Sequence, residues 1–401
     1  MSLRNVSLAV FALLALTLTA CHRHDFPQYA ANYREYAYVT NGGSGTVTVL
    51  DVVNVRLDRE IPVGQNPVAV TASPVRNEVY VVNSGAVGGQ GSVSVINAEN
   101  NTIVATIRVQ RQPLSIDLDR AGALAYVANS GSNSISVLDL KARREIAVIG
   151  AGEQPVSARI APDGNTLVVA NRRGNSVSLF DLGPALAASW RKPQVIEGCP
   201  GASDAVILPD SSKAFVTCSA GHQIMAINLD KTPADSSRTD RPRTYRLESL
   251  LDVGQAPVQL ALKPDGGELF VLNSLSDSIS EVVTSTNDVG GAYMIGDDPV
   301  RGLVSSDNSV LYIANFRSQW VTVYAPEDGR RVASIHVGDG PSALALSSNG
   351  LFLFVVDTRS GDIAVARTDT LSIRTDTLSL LALLPAGRAP DAIAVKAFKL
   401  P

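Results

Sequence analysis

The sequence predicts an all-β chain, folded as a propeller of four-stranded antiparallel blades and closed by pairing of its N- and C-terminal strands. Three observations predict it. A Pro-to-Asn frame of constant length recurs from Pro67 to Asn83, Pro113 to Asn129, Pro155 to Asn171, Pro257 to Asn273 and Pro299 to Asn315; it ends on Asp in the copy from Pro341 to Asp357, and a degenerate copy runs from Ala202 to Cys218. Four β-rich runs fit between successive copies, giving units of ~45 residues, the size of a blade. The two ends are complementary: the chain opens on a Tyr38-Val39-Thr40-Asn41 strand with no preceding Pro strand and closes on Pro390-Asp391-Ala392-Ile393 with no following Asn strand.

Each run within the unit has a physical reason. The first, such as Val68-Ala69-Val70-Thr71-Ala72, follows the Pro. Its alternate aliphatic positions (Val68, Val70 and Ala72; Leu114, Ile116 and Leu118; Val258, Leu260 and Leu262) are expected on one face. A turn follows, often Pro-Asp-Gly as at 162–164 and 264–266. There Pro presets φ and Gly takes the positive φ. The second run is Leu124-Ala125-Tyr126-Val127-Ala128-Asn129, and an Asn-Ser-Gly turn leads into the third, Ser134-Ile135-Ser136-Val137-Leu138-Asp139. Glu145-Ile146-Ala147-Val148-Ile149 is the fourth. Period-two β-branched runs with frequent turns exclude a helical solenoid. The recurring Asn is expected to cap the turn after it. Asn-equivalent positions at 41, 83, 129, 171, 218, 273, 315 and 357 count eight blades; seven is the alternative, because the unit at Ala202 is degenerate.

Trp-Asp never occurs, so the WD40 pattern is absent. The tetrapeptides Tyr38-Val39-Thr40-Asn41, Tyr80-Val81-Val82-Asn83 and Tyr126-Val127-Ala128-Asn129, in register with Gly-x-x-Pro and Pro-Asp-Gly, resemble the YVTN family of β-propeller repeats over about residues 36 to 398. Relatives of that family include surface-layer proteins, lactonase-like proteins and haem d1-type propellers. The resemblance therefore implies two enzymatic or cofactor alternatives, lactone hydrolysis and binding of a haem d1-like tetrapyrrole.

The chain has 401 residues and a formal net charge of −4, which argues against a nucleic-acid partner. Residues 1–20 read as a signal peptide: Arg4 is the positive end, and the apolar run from Val6 to Ala20 is shorter than the ~20 residues a spanning helix needs. Leu18-Thr19-Ala20-Cys21 resembles a bacterial lipobox, which implies lipidation of Cys21, residues 21–35 as a tether, and a single propeller over 36–401. His22 rather than Asp after the Cys implies the outer membrane, facing the periplasm or the cell surface.

Two cysteines remain. Cys199 precedes the first strand of its blade and Cys218 ends the second, so antiparallel pairing brings them to one sheet edge. A disulfide is expected there, with a free thiol pair as the alternative.

In a propeller the first strand lines the central channel, and the loop entering it shares a rim with the loop after the Asn. By register this places Arg111, Arg172, Arg173, Arg317, Arg359 and Arg388 on the rim, and Asp117, Arg159, Asp204, Gln259 and Arg301 along the channel. Such arginines can hold an anion, although Glu153, Asp297, Asp298, Asp339 and Asp391 lie in the same loops and can neutralise them. His222 is the histidine placed to serve the rim, as a solvated loop residue or as a haem ligand; His336 falls in a fourth strand. Nucleophile-elbow, zincin, P-loop and dinucleotide motifs are absent, so no catalytic residue is assigned and no metal is expected. The primary expectation is a lipid-anchored propeller that binds a protein, a glycan or an anionic small molecule, with the lactonase-like or haem d1-type protein as the alternative.

Overall fold

A computed structural model describes residues 26–182, 192–229, 244–369 and 380–400. The signal peptide, Cys21, His22, His24, Trp190 and the polar insertion at 231–243 lie outside the described residues. Among the described residues there are eight four-stranded antiparallel sheets and a single short 3-10 turn, and no helix is long and apolar enough to cross a membrane. The chain is an eight-bladed propeller.

Blade 1 is composite: strands Tyr33–Asn41, Thr46–Asp51 and Arg56–Pro62 are completed by Pro390–Lys399 on the inner side. Blades 2 to 8 run in chain order. Their innermost strands are Pro67–Ala72, Pro113–Leu118, Pro155–Ile160, Ala202–Ile207, Pro257–Leu262, Pro299–Val304 and Pro341–Leu346. Each innermost strand touches the next, and Pro390–Lys399 joins blade 8 to blade 2. The ring therefore has no free inner edge, which removes a template for aggregation. The first strand begins at Tyr33, so the propeller takes in the last residues of the segment read as tether.

Second and third strands carry the core. Val79, Tyr80, Val81 and Val82, like Leu167, Val168, Val169 and Ala170, are fully buried on both sheet faces. Burying both faces is what a blade between two neighbours requires. Tyr38, Tyr80 and Tyr126 fill the gaps between blades, and where Tyr38 is buried its hydroxyl donates to Asn101 Oδ1 at 2.6 Å. The polar end of a buried tyrosine needs such a partner.

The first strands differ from the expected simple alternation. In blades 2 to 8 the pairing register shifts just after the residue at the Pro position, as between Pro67 and Ala69 or Pro113 and Ser115. This β-bulge turns the strand partway along. Val68 consequently packs toward blade 3, whereas Val70 and Ala72 pack toward blade 1. Leu114 likewise parts from Ile116 and Leu118, and Val258 from Leu260 and Leu262. The bulge brings consecutive residues to the channel, as with Val68 and Ala69, Leu114 and Ser115, or Val300 and Arg301.

The recurring Asn does not cap the turn after it. Asn83 Nδ2 donates to Ser92 Oγ (3.1 Å) and Ser94 Oγ (2.9 Å) on the third strand, and its Oδ1 accepts from Gly64 N at 3.0 Å. Asn41 repeats this with Thr46, Thr48 and Gly387. Asn129, Asn171 and Asn273 donate to the corresponding serines. The side chain thus clasps three segments of one blade. It also explains the Gly of Gly-x-x-Pro: a Cβ on Gly64 would lie 2.6 Å from Asn83 Cγ.

Blade 8 carries a variant clasp. Asp357 stands where Asn does, and Asp362 where the first Ser does. Asp357 Oδ2 accepts from Gly338 N at 2.9 Å, while Asp357 Oδ1 and Asp362 Oδ1 have no partner outside their own pair. Burial, and then the facing Asp362, push the Asp357 carboxyl up to about 8. The folded state holds this proton more tightly than an unfolded chain, whose Asp titrates near 3.9. The stabilisation is therefore full below about pH 4 and is lost as pH rises through about 8. Asp357→Asn restores an amide donor toward Asp362. It should match the parent's stability at pH 4, exceed it at pH 9 by on the order of 2 kcal/mol, and flatten the pH profile of melting between. Parallel melting profiles of the two proteins would contradict the shared proton.

Candidate functional site at the channel and its rim

The rim is built by one backbone pattern: in six blades the two residues after the Asn position are held to the two residues before the Pro position, while blade 4 uses Arg172 and Gly174, and blade 5 only Ala220, bonded to Pro200 O. Examples are Gly43 N to Arg388 O (2.9 Å), Gly131 N to Arg111 O (3.1 Å), Arg172 N to Gln154 O (2.9 Å) and Arg359 N to Asp339 O (3.1 Å). All six rim arginines named from the sequence therefore lie at one end of the ring.

They fall into two groups. On blades 7 and 8, Arg317 Nε pairs with Asp298 Oδ2 (3.3 Å), and Arg359 Nη1 lies 3.8 Å from Asp339 Oδ1 while its guanidinium stacks on Phe316 at 4.4 Å. These two are neutralised by loop carboxylates. Arg388 on blade 1, Arg111 on blade 3, and Arg172 and Arg173 on blade 4 are exposed and make no ion pair among the described residues. The six arginines stand against Glu153, Asp277, Asp297, Asp298, Asp339 and Asp391, so the rim is balanced in charge overall, and the arginines without an ion pair among the described residues gather on blades 1, 3 and 4.

His222 closes a rim turn with φ of 55°. Its Nδ1 accepts from Ala256 N at 3.2 Å. Asn133, Asn175 and Asp277 occupy the same corner in other blades and make the same bond to the next entering loop, to Gln154, Gly201 and Asp298. His222 is therefore a structural corner. Its Nδ1 acceptor role puts the neutral ring's proton on Nε2, the nitrogen left toward solvent. His336 lies in a fourth strand against Trp320, with ring centroids 4.8 Å apart.

Below the rim, all five channel residues named from the sequence line one cavity system. Four of them bridge adjacent innermost strands. Asp117 Oδ2 accepts from Ile160 N (2.9 Å), Arg159 Nε donates to Ala205 O (3.3 Å), Asp204 Oδ2 accepts from Leu260 N (3.2 Å), and Gln259 Oε1 accepts from Gly302 N (2.8 Å). Arg159 Nη2 also reaches Asp204 Oδ1 at 3.5 Å. The Arg159 side chain is 38% accessible and lines the channel cavity. Desolvation pushes the Asp117 carboxyl up, partly offset by Arg159. This polar wall spans blades 3 to 6 and surrounds a cavity of about 270 Å³.

Arg301 stands apart, exposed to the channel with no hydrogen bond or ion pair among the described residues. It joins a wider opening of about 370 Å³, whose other side is the small and aliphatic wall of Ala343, Leu344, Ala392, Ile393, Ala69 and Val70.

No family model matches the chain, and no curated protein matches it. Solved structures do. The dihydro-haem d1 dehydrogenase NirN, solved in complex with DHE, aligns over 92% of this chain and 77% of its own, with TM-score 0.71 and 15% identity. The periplasmic gluconolactonase PpgL of Pseudomonas aeruginosa aligns over 92% and 99%, with TM-score 0.58 and 17% identity. Hydrazine synthase of Kuenenia stuttgartiensis aligns over 82% and 92%, with TM-score 0.54 and 21% identity. At these identities the likeness establishes a shared propeller fold and carries no activity with it.

Proposed function

We propose that this chain is a ligand-binding propeller of the bacterial cell envelope, tethered through lipid on Cys21, whose rim captures a small anionic molecule. The reading is carried by Arg111, Arg172, Arg173 and Arg388, which are exposed on blades 1, 3 and 4 without ion pairs among the described residues, while Arg317 and Arg359 are already neutralised. An unpaired guanidinium takes a carboxylate or phosphate in bidentate geometry and costs no existing salt bridge. Titration calorimetry with citrate and with inorganic pyrophosphate tests it. Each mutation of a contacting arginine should weaken binding severalfold, so R111A/R172A/R173A/R388A together should weaken it by about a hundredfold, and affinity should fall with added salt. R317A/R359A should change it little. Equal affinity of the quadruple variant and the parent, or no binding to either anion, rejects the anion rim.

A second reading, tetrapyrrole binding, is favoured by the extent of the likeness to NirN and by the solvent-facing Nε2 of His222. A haem titration that produces no absorbance band, or one unchanged by His222→Ala, removes His222 as a haem ligand. A lactone panel without turnover removes the lactonase-like branch.

A further inference from the structure

The second residue after the Pro position lines one channel cavity, of about 370 Å³, in all eight blades. Blades 5 to 7 contribute the longer polar side chains Asp204, Gln259 and Arg301 at this level. The five blades that complete the ring contribute Ala343, Ala392, Ala69, Ser115 and Ser157. The cavity is thus cut back on one side and reached by polar groups from the other. Nearer the rim its wall is Val68, Leu114, Val156, Val258 and Val300, broken by Ser203. Deeper it is Val70, Ile116, Leu344 and Ile393, with Arg159. The polar level therefore lies between two largely aliphatic ones.

Most of the polar groups are occupied. Gln259 Oε1 accepts from Gly302 N (2.8 Å), and its Nε2 donates to Leu260 O (2.7 Å). Asp204 Oδ2 accepts from Leu260 N (3.2 Å), and its Oδ1 faces Arg159. Ser203 Oγ lies 2.7 Å from both Thr217 Oγ1 and Ser219 Oγ. The hydroxyl oxygens of Ser115 and Ser157 are buried, so these residues give the cavity small bulk rather than a bond. Arg301 is the exception: it is exposed, and it makes no hydrogen bond or ion pair among the described residues. At its own level it is flanked by Gln259, whose oxygen is held by the strand that carries Arg301, and by the methyl of Ala343. None of the rim carboxylates lines the cavity, and the one acid that does, Asp204, is offset by Arg159. Among the described residues the cavity carries one uncompensated positive charge, with aliphatic surface on either side. A guanidinium gains more from a carboxylate in such a recess than in open solvent, because the guest displaces the water that would screen it. A mostly apolar cavity with a polar group directed into it is the usual form of a small-molecule site.

We propose that the channel binds a short-chain aliphatic monocarboxylate, its carboxylate on the Arg301 guanidinium and its hydrocarbon against Ala343, Ala392, Val300, Leu344 and Ile393. One open charge on the wall matches one on the ligand, and a second carboxylate would be buried without a partner. The inference goes beyond the anion rim and does not rest on it, since the open rim arginines lie on blades 1, 3 and 4 and none of them lines this cavity.

The probes are 4-methylpentanoate, 4-methylpentanamide and acetate, titrated calorimetrically into the purified protein. 4-Methylpentanoate should bind. The amide keeps the shape and loses the charge, while acetate keeps the charge and loses the hydrocarbon; each should bind about tenfold or more weakly. Arg301→Met should bind 4-methylpentanoate about tenfold or more weakly and should no longer distinguish it from the amide. The Arg301 side chain bonds to nothing in the fold, so this variant should melt with the parent, which separates lost binding from lost structure. R111A/R172A/R173A/R388A should bind 4-methylpentanoate as the parent does, so failure of the rim and failure of this seat are distinguishable. No binding of 4-methylpentanoate, equal binding of acetate or the amide, or undiminished binding to Arg301→Met overturns the proposal.

Discussion

A chain truncated before Pro390 is expected not to melt cooperatively at all. The segment Pro390–Lys399 is the inner strand of blade 1 and touches the innermost strands of blades 8 and 2. Ile393 and Val395 pack into the cluster shared with blade 8, and Phe398 and Leu400 into the one shared with blade 2. At 1.5–3 kcal/mol for a fully buried large apolar side chain, with Phe398 buried and the other three partly so, these four contribute roughly 4–8 kcal/mol, comparable with the whole stability of a domain. Polar groups are lost as well: Thr40 Oγ1, which accepts from Ala392 N at 3.0 Å, and the buried Lys396 ammonium, which donates to Ser73 O at 2.8 Å. The truncated protein should show reduced strand signal, broad melting and aggregation through the two opened blade edges. Phe398→Ala, which leaves the strand in place, should lower stability by about 3 kcal/mol and keep a single transition. A truncated chain with the parent's melting curve would sink the closed ring.

Much of this architecture is legible in the sequence because its signals are local and repeated. Pro67 and Asn83 pair with one another across the open end of one hairpin, and their fixed separation along the chain reports strand length and turn directly. Blade number follows from counting, and the closing strand from two half-frames. What was not legible depends on atoms meeting across loops. The bulge after each Pro leaves no composition mark, so the aliphatic residues of the first strands were read onto one face when they part to two. The Asn clasp looked like a turn cap, because its partners are serines on the next strand and a glycine before the previous one. Rim arginines could be placed by register, but which of them loop carboxylates neutralise could not: Arg317 meets Asp298, while Glu153 leaves Arg172 and Arg173 unpaired. Asp391 was legible only as one more loop acid.

Blade 5 carries the second large prediction. Cys199 occupies the position of the clasp glycine and Cys218 that of the clasp asparagine, and the two form the expected disulfide with Cα atoms 4.7 Å apart. Here a covalent bond stands where other blades use an amide. Both sulfurs are fully buried, so the native protein should resist dithiothreitol and yield thiols only on unfolding. C199A/C218A should lose about 3 kcal/mol, the value for cross-linking a loop of this length, the separation being 19 residues. C199G/C218N should do no better, because the third strand offers Gln223 and Met225 where a clasp needs two hydroxyls, and the new buried amide would lack acceptors. Met225→Ser alone should cost about 2–4 kcal/mol by emptying a fully buried site. Added to C199G/C218N, however, it should cost about 1–2 kcal/mol less than that, since the amide and the hydroxyl satisfy one another. Chemical denaturation of the four variants measures this coupling. Strictly additive costs would mean that the disulfide is not a substitute for the clasp and that the shared position is coincidence.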